Sequence, residues 1–313
     1  MKTGFLYAGQ GSQYKGMGRD LYEKYPAFRE AFDAAELPFD LHSVCFDDPD
    51  DLLGQTEYTQ PCMVAFACGV TAVLRENKVL PDVAAGLSLG EYSALEAAGV
   101  FDAKTAITLT AFRGRAMAEA GRGIQTGMQA ILGMDEKTLQ ACCDEASSEG
   151  VVTISNYNCP GQLVIAGEKQ AVERCAALAG EKGAKRCIPL KVSGPFHTKL
   201  MAPAGEKLRE YFRTIPFGTM QFPVLFNTLG HEMGSEDTIP DLLVKQVQTS
   251  VHMDAAIRRM LEFQVDTFVE IGPGSALSGF VKKTARAEGK KDITIYNIQS
   301  AEDLENVLSA LKK

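Results

Sequence analysis

The sequence predicts an α/β protein: a core built on a parallel sheet, with a smaller inserted unit of the order strand–helix–strand–strand–helix–strand. Three observations lead there. Short apolar runs alternate with stretches of helical period over most of the chain, the pattern of a parallel sheet with crossover helices. One run, Val83-Ala84-Ala85, meets Gly86-Leu87-Ser88-Leu89-Gly90 and a helical pattern begins at once. That is the layout of a sharp strand–turn–helix corner with a serine at its tip. From about 124 to 190 the alternation changes to a βαββαβ split unit of the ferredoxin-like type. The chain therefore divides into a large part, 1–123 with 191–313, and a small part, 124–190.

Composition narrows the function classes. The 313 residues are 45% hydrophobic and 23% charged, ordinary for a globular enzyme with a sizeable core. No apolar run is long enough to span a bilayer. The start, Met1 to Ala8, is too short in apolar length for a secretion signal and reads as a first strand. A net charge of −8 argues against nucleic acid as the main partner. The eight cysteines are irregularly spaced, without Cys-x-x-Cys, and fit reduced buried thiols in a cytoplasmic protein. The four histidines show no metal-ligand spacing.

In chain order, the first strand ends in Gly9-Gln10-Gly11-Ser12-Gln13. A dinucleotide fingerprint would need glycine at 14, which is Tyr14, and no phosphate-loop pattern follows. What remains is an open strand-end loop with two amide side chains. A helix is expected over 19–34, then a solvated acidic loop around Asp47–Asp51. Thr59-Gln60-Pro61 opens a buried helix with the proline in its first turn. Strand 82–86 leads into the serine corner and a helix over 89–98, which stops at Gly99.

Asp102 caps the next helix, which runs to about Ala120. Its apolar stripe includes Ala106, Leu109, Ala116 and Met117, and Arg113 falls on that stripe while Arg115 points elsewhere. A guanidinium facing a core needs an anion, because an unpaired buried charge is very costly. The anion is either an internal carboxylate or the carboxylate of a substrate. The inserted unit places strands at 128–132, 151–157, 162–166 and 184–190, and helices at 135–147 and 168–180. The chain leaves it through Val192-Ser193-Gly194-Pro195-Phe196-His197-Thr198, so His197 sits at a loop-to-helix junction. A strand at 221–227, helix over 240–262 broken near Gln248-Thr249-Ser250, strand 265–271, a helix, strand 293–298 and a last amphipathic helix complete the pattern.

Ser88 carries two readings at this point. It is the tip of a nucleophile elbow, and with Glu91 it is also a capping box. His197 alone is most simply a helix-terminus residue.

The pieces coincide in order: the Gly-Gln-Gly-Ser-Gln loop, the Gly-Leu-Ser-Leu-Gly-Glu corner, an arginine on an apolar stripe, the ferredoxin-like insertion and the Gly-Pro-Phe-His junction. As a set they resemble the malonyl-CoA:acyl carrier protein transacylases of fatty acid synthesis and, more widely, the acyltransferase domains of polyketide synthases. The resemblance covers essentially the whole chain. It implies an α/β-hydrolase-like core and transfer of malonyl from malonyl-CoA to the phosphopantetheine thiol of acyl carrier protein, by ping-pong turnover through a malonyl-serine, in a cytoplasmic monomer. It implies no cofactor: the CoA thioester is substrate and phosphopantetheine is on the partner.

The resemblance also implies roles. Ser88 is the nucleophile and His197 its base. Gln10 and the Leu89 amide form the oxyanion hole. Arg113, in Arg113-Gly114-x-x-Met117, clamps the malonyl carboxylate. Phe196 is similar to the residue that malonyl-selective members often carry there. Asn156 and Asn158 match a stretch bordering the entry for CoA and carrier. Lys185, Arg186, Lys282 and Lys283 match proposed carrier-docking positions, with solvated surface charge as the alternative. Two positions depart from the family pattern. Leu87 stands where many members have histidine, and His252 is the nearest match to a glutamine that holds the catalytic histidine, a role for which a backbone carbonyl would suffice.

Two other readings remain. A hydrolase or thioesterase could use the same elbow, though its Ser…Asp/Glu…His order finds no distinctive acid motif between Ser88 and His197. A non-catalytic carrier-binding module would keep the basic pairs but has no need of Ser88 and His197 together.

Overall fold

Two sheets organise the chain, and their strands follow the two grammars of the sequence. The computed structural model describes residues 1–190 and 194–312; Val192 and Ser193 of the junction lie outside them. The element order begins β1 (Thr3–Tyr7), α1 (Arg19–Lys24), α2 (Pro26–Phe32), α3 (Thr56–Glu76), β2 (Val83–Gly86), α4 (Gly90–Ala97) and α5 (Ala103–Gly121). The inserted unit supplies β3 (Thr126–Leu132), α6 (Glu136–Ala146), β4 (Val152–Cys159), β5 (Gln162–Glu168), α7 (Lys169–Glu181) and β6 (Arg186–Pro189). The chain closes with α8 (Ala202–Phe212), β7 (Val224–Leu225), α9 (Ile239–Gln246), β8 (Val251–His252), α10 (Met253–Glu262), β9 (Thr267–Ile271), α11 (Ala276–Ala287), β10 (Thr294–Ile298) and α12 (Ala301–Leu311).

The first sheet has the order β10-β9-β1-β2-β7 and is parallel throughout. Its centre, β1, is buried at every residue, as expected of a strand covered on both faces by helices. Helix α3 is apolar almost all round and lies against α2 and α5, so it is a core helix rather than a surface one. The second sheet has the order β6-β3-β5-β4-β8. Its first four strands are antiparallel and have their own apolar core around Ile131, Leu139, Ile154 and Ile165. The fifth, β8, comes from the C-terminal half and joins β4 in parallel, Asn156 opposite Val251 and Tyr157 opposite His252. Ser250 reinforces that seam by donating from Oγ to the Ile154 carbonyl at 2.7 Å. All eight cysteines are unpaired and seven are buried. Among the described residues, no helix is long and apolar enough to cross a membrane.

Several local expectations need correction. The helix expected over 19–34 is two helices, because Pro26 cannot continue the first and instead opens the second. Helix α3 starts at Thr56, so Pro61 lies inside it rather than in its first turn. The acidic loop is not merely solvated, since Asp48 Oδ1 accepts from the amides of Leu52 (2.7 Å) and Leu53 (3.1 Å). The strand expected at 221–227 contracts to Val224–Leu225.

The serine corner decides where the site lies. Ser88 has φ +52°, a left-handed conformation, and the α4 N-terminus has no side-chain cap. The capping-box reading is therefore overturned: the turn carries the Ser88 hydroxyl away from the helix amides, and Glu91 bonds Asn227 instead. The corner also leaves no room for side chains. A Cβ on Gly86 would lie 1.9 Å from the Gly90 carbonyl carbon, and one on Gly90 would lie 2.1 Å from the Tyr7 oxygen. Gly86→Ala is thus expected to destabilise the fold by about 3 kcal/mol or more, since backbone and not a flexible side chain must give way. A urea unfolding midpoint equal to wild type would contradict this packing.

Candidate active site

Four segments converge on a cavity of ≈ 440 Å³ between the two sheets. The loop after β1 brings Gln10, the corner after β2 brings Ser88 and Leu89, α5 brings Arg113 and Met117, and the junction before α8 brings Phe196 and His197. The second sheet forms the opposite wall with Asn156 and Asn158 of β4. Parallel strands end together at one edge, which is why loops far apart in sequence meet there.

His197 Nε2 lies 2.8 Å from Ser88 Oγ, and its Nδ1 lies 2.7 Å from the Gln246 carbonyl oxygen. A carbonyl only accepts, so Nδ1 carries the proton and the bare Nε2 receives the Ser88 hydroxyl. His197 also has a left-handed backbone, φ +60°, and is buried. Burial, assisted by the nearby Arg113 charge, pushes its pKa down to about 4 against the pull of carbonyls at Gln246 and Thr249. The ring is therefore neutral, as a proton acceptor must be, throughout the neutral range.

Arg113 is fully buried, and its partners are neutral. Nη1 donates to Gln60 Oε1 (2.8 Å), and Nη2 donates to Gln246 Oε1 (2.9 Å) and Ser88 Oγ (3.2 Å). The guanidinium also sits over the Tyr92 ring at 5.2 Å. No ion pair among the described residues includes it, and Nε has no partner. Burial lowers its pKa, yet guanidinium stays protonated in proteins. The nearby Glu91 does not serve as counter-ion: burial pushes its carboxyl up to about 8, and Asn227 occupies one oxygen. The internal-carboxylate explanation of Arg113 thus finds no ionised carboxylate among the described residues, and the site holds a cation aimed at Ser88.

Gln10 lines the cavity, with Nε2 donating to Thr56 Oγ1 at 2.9 Å, and the Leu89 residue begins α4 beside it. Asn156 Oδ1 accepts from Ser155 Oγ, whereas Asn158 Oδ1 is buried without a partner among the described residues and so can receive a donor. Met117 Sδ lies 3.5 Å from Gln60 Nε2.

The structure does not bring His252 to His197. Its ring stacks on Tyr157 at 4.8 Å, where β8 joins β4 in the second sheet. The orienting carbonyl belongs to Gln246, six residues earlier, because α9 ends there and leaves its last carbonyls free of helical partners. Lys185, Arg186, Lys282 and Lys283 are exposed and outside the cavity.

Gln60, Gln246 and Asn227 were missed by sequence reasoning. The same signal that marked Arg113 marks the first two: a polar side chain on an otherwise buried apolar helix face.

The fold and the Ser–His pair define a class, an α/β enzyme with an elbow serine suited to acyl transfer. Comparison with known proteins agrees. The acyl transferase domain family matches residues 4–311. A malonyl CoA-acyl carrier protein transacylase of Bacillus subtilis strain 168 is 40% identical, covering 100% of this chain and 98% of the relative. A solved malonyl-CoA–acyl carrier protein transacylase from Clostridium perfringens superposes with TM-score 0.93 at 39% identity, covering 99% and 97% of the two chains. A solved complex of a malonyl-transacylase with a type II polyketide-synthase acyl carrier protein matches with TM-score 0.93 at 36% identity, covering 99% and 100%. The chain belongs to the acyl transferase domain family and is an acyltransferase.

Titration of His197 by NMR is expected to show a neutral ring down to about pH 4 to 5. Arg113→Ala removes one of the two causes of depression, so the midpoint should move up toward 6.5. The sign for stability follows: the unfolded chain takes up the proton first, so this residue costs stability as pH falls from 6.5 through about 4. A midpoint near 6.5 in the folded wild type would contradict the burial argument.

Proposed function

We propose that this enzyme transfers malonyl from malonyl-CoA to the phosphopantetheine thiol of an acyl carrier protein through a malonyl-Ser88 intermediate, supplying malonyl units to fatty acid synthesis. One observation carries the choice of acyl group. A fully buried arginine with only neutral partners lies 3.2 Å from the nucleophile, so the site is charge-balanced only when an acyl group brings its own carboxylate. Guanidinium holds carboxylate in a bidentate, charge-assisted pair. Acetyl would leave the cation with its neutral amide partners alone.

In the proposed sequence, His197 Nε2 takes the Ser88 proton as Oγ attacks the thioester carbonyl. The Leu89 amide and the Gln10 side-chain amide receive the developing oxyanion. Collapse breaks the carbon–sulfur bond, and the imidazolium returns its proton to the CoA thiolate. The carrier thiol then gives its proton to His197 and attacks the malonyl-serine, and Oγ recovers the proton as it leaves. The Gln246 carbonyl holds the ring throughout, so no third acidic residue is required.

Docking of an acidic carrier is supported by the register of the second sheet. Arg186 pairs with Leu132, and Leu132 with Gln162, whose side chain accepts from Lys283 Nζ at 3.1 Å. Arg186 is thus two strands, about 10 Å, from the residue that Lys283 touches. Lys185 adjoins Arg186 and Lys282 adjoins Lys283, so the four cations flank one end of that sheet. Leu190, at the opposite end of the β6 segment from Arg186, lines the cavity, so this segment runs from the cationic end of the sheet to the site.

The test is intact mass after mixing with malonyl-CoA. A malonyl adduct should persist until holo carrier is added, and Ser88→Ala should abolish it. Release of free malonate without carrier would indicate a thioesterase, and no adduct a binding module. Arg113→Ala should slow malonyl transfer on the order of 100-fold, the worth of two charge-assisted hydrogen bonds, and change acetyl transfer far less. Equal losses for both acyl groups would sink the clamp.

A further inference from the structure

We infer that Asn227 is a positioning residue for the nucleophile: it holds the Ser88 backbone in its left-handed turn and ties that turn to β8, the outer strand of the second sheet. This rests on the acyl-serine reading above, since it concerns how the same serine is aimed.

Asn227 follows β7 and is buried, and four of its groups are engaged around the corner. Its Oδ1 accepts from the Ser88 amide at 2.6 Å, and its Nδ2 donates to the Gly86 carbonyl at 2.7 Å. The two ends of one short amide therefore bracket Leu87 and span the turn. Its own amide donates to Glu91 Oε2 at 2.5 Å, and its carbonyl accepts from the His252 amide at 2.9 Å. The first bond anchors it to α4. The second anchors it to β8, which pairs with the β4 stretch carrying Asn156.

The chemistry singles out asparagine. The turn removes the Ser88 amide from both the strand and the helix ladders, and a buried amide without a partner is costly. Gly86 offers a carbonyl two residues away. A side chain satisfying both must present one acceptor and one donor on a short, planar group, which is the asparagine amide. A non-glycine residue at positive φ persists only where its surroundings over-determine it. At Ser88 they do: Gln246 Nε2 also donates to the Ser88 carbonyl at 2.8 Å, so amide and carbonyl are both held from outside the turn.

Asn227 does not line the cavity, and the acyl group's clamp, Arg113, donates its hydrogen bonds to Gln60, Gln246 and Ser88 rather than to Asn227. Its loss should therefore affect acylation and not malonyl binding. The test is single-turnover acylation by malonyl-CoA, followed by rapid-quench intact mass, for wild type, Asn227→Ala and Asn227→Asp. Asn227→Ala is expected to acylate about 10- to 100-fold more slowly at saturation, because a small displacement of Oγ from Nε2 is enough for such a loss. The half-saturating concentration should stay within about 3-fold. Asn227→Asp adds a readout that a purely structural role would not move. A protonated carboxyl offers the same acceptor and donor as the amide, whereas the ionised form turns a second acceptor on the Gly86 carbonyl. The ratio of its rate to wild type should rise as pH is lowered, while that of Asn227→Ala stays flat.

A folded Asn227→Ala acylating within about 3-fold of wild type overturns the inference, as does an Asn227→Asp ratio independent of pH. If Asn227→Ala does not fold, the Asn227→Asp series decides alone. Wild type without an adduct overturns the acyl-serine reading and this inference with it. Wild type with an adduct, beside unaffected variants, overturns this inference only.

Discussion

Tyr7, Gly86 and Gly90 touch backbone to backbone, and the site depends on that contact. Because Gly90 has no side chain, α4 starts directly against the end of β1, beside the cavity that β1's loop and Leu89 both border. Had either glycine carried a methyl group, the helix would stand off the sheet and Ser88 would no longer meet a histidine arriving from the far side of the insertion. The close crossing explains why a residue with positive φ is accepted at the corner: the turn has no wider path to take.

Amides, and not carboxylates, organise the charge inside. Gln60 and Gln246 each present an oxygen to Arg113, which solvates the guanidinium without neutralising it. A carboxylate in either place would hold the arginine more strongly and would compete with any acidic ligand. Glu91, the one acid close by, is silenced by burial. His197 is likewise aimed by a carbonyl, and burial together with the nearby Arg113 charge keeps its ring neutral.

Much of this was legible in the residue order. The alternation of apolar runs and helical stretches announced the parallel sheet, and the changed grammar after residue 124 announced the second one, since periodicity is a local property. Asp102 was readable as a cap because the cap bond, Thr105 amide to Asp102, spans three residues. Arg113 stood out as a charge on an apolar stripe. What stayed hidden was the set of contacts between elements distant in sequence. Gln246 meets Ser88 across 158 positions and Asn227 meets it across 139, and no local pattern encodes either. His252 was misplaced for a related reason. Matching side-chain identity pointed to a histidine, while the group that matters is a main-chain oxygen whose position is set by where α9 ends.

That main-chain oxygen has an evolutionary consequence. Gln246 holds the His197 ring through its backbone carbonyl, and its side chain holds both Arg113 and the Ser88 carbonyl. Substitution here therefore leaves the carbonyl that aims the imidazole in place, while it alters the support of Arg113 and of the Ser88 turn together. The aim of the ring is thus inherited through any side chain at 246, whereas the side chain itself answers to two neighbours, so drift at this position reaches the arginine and the serine together.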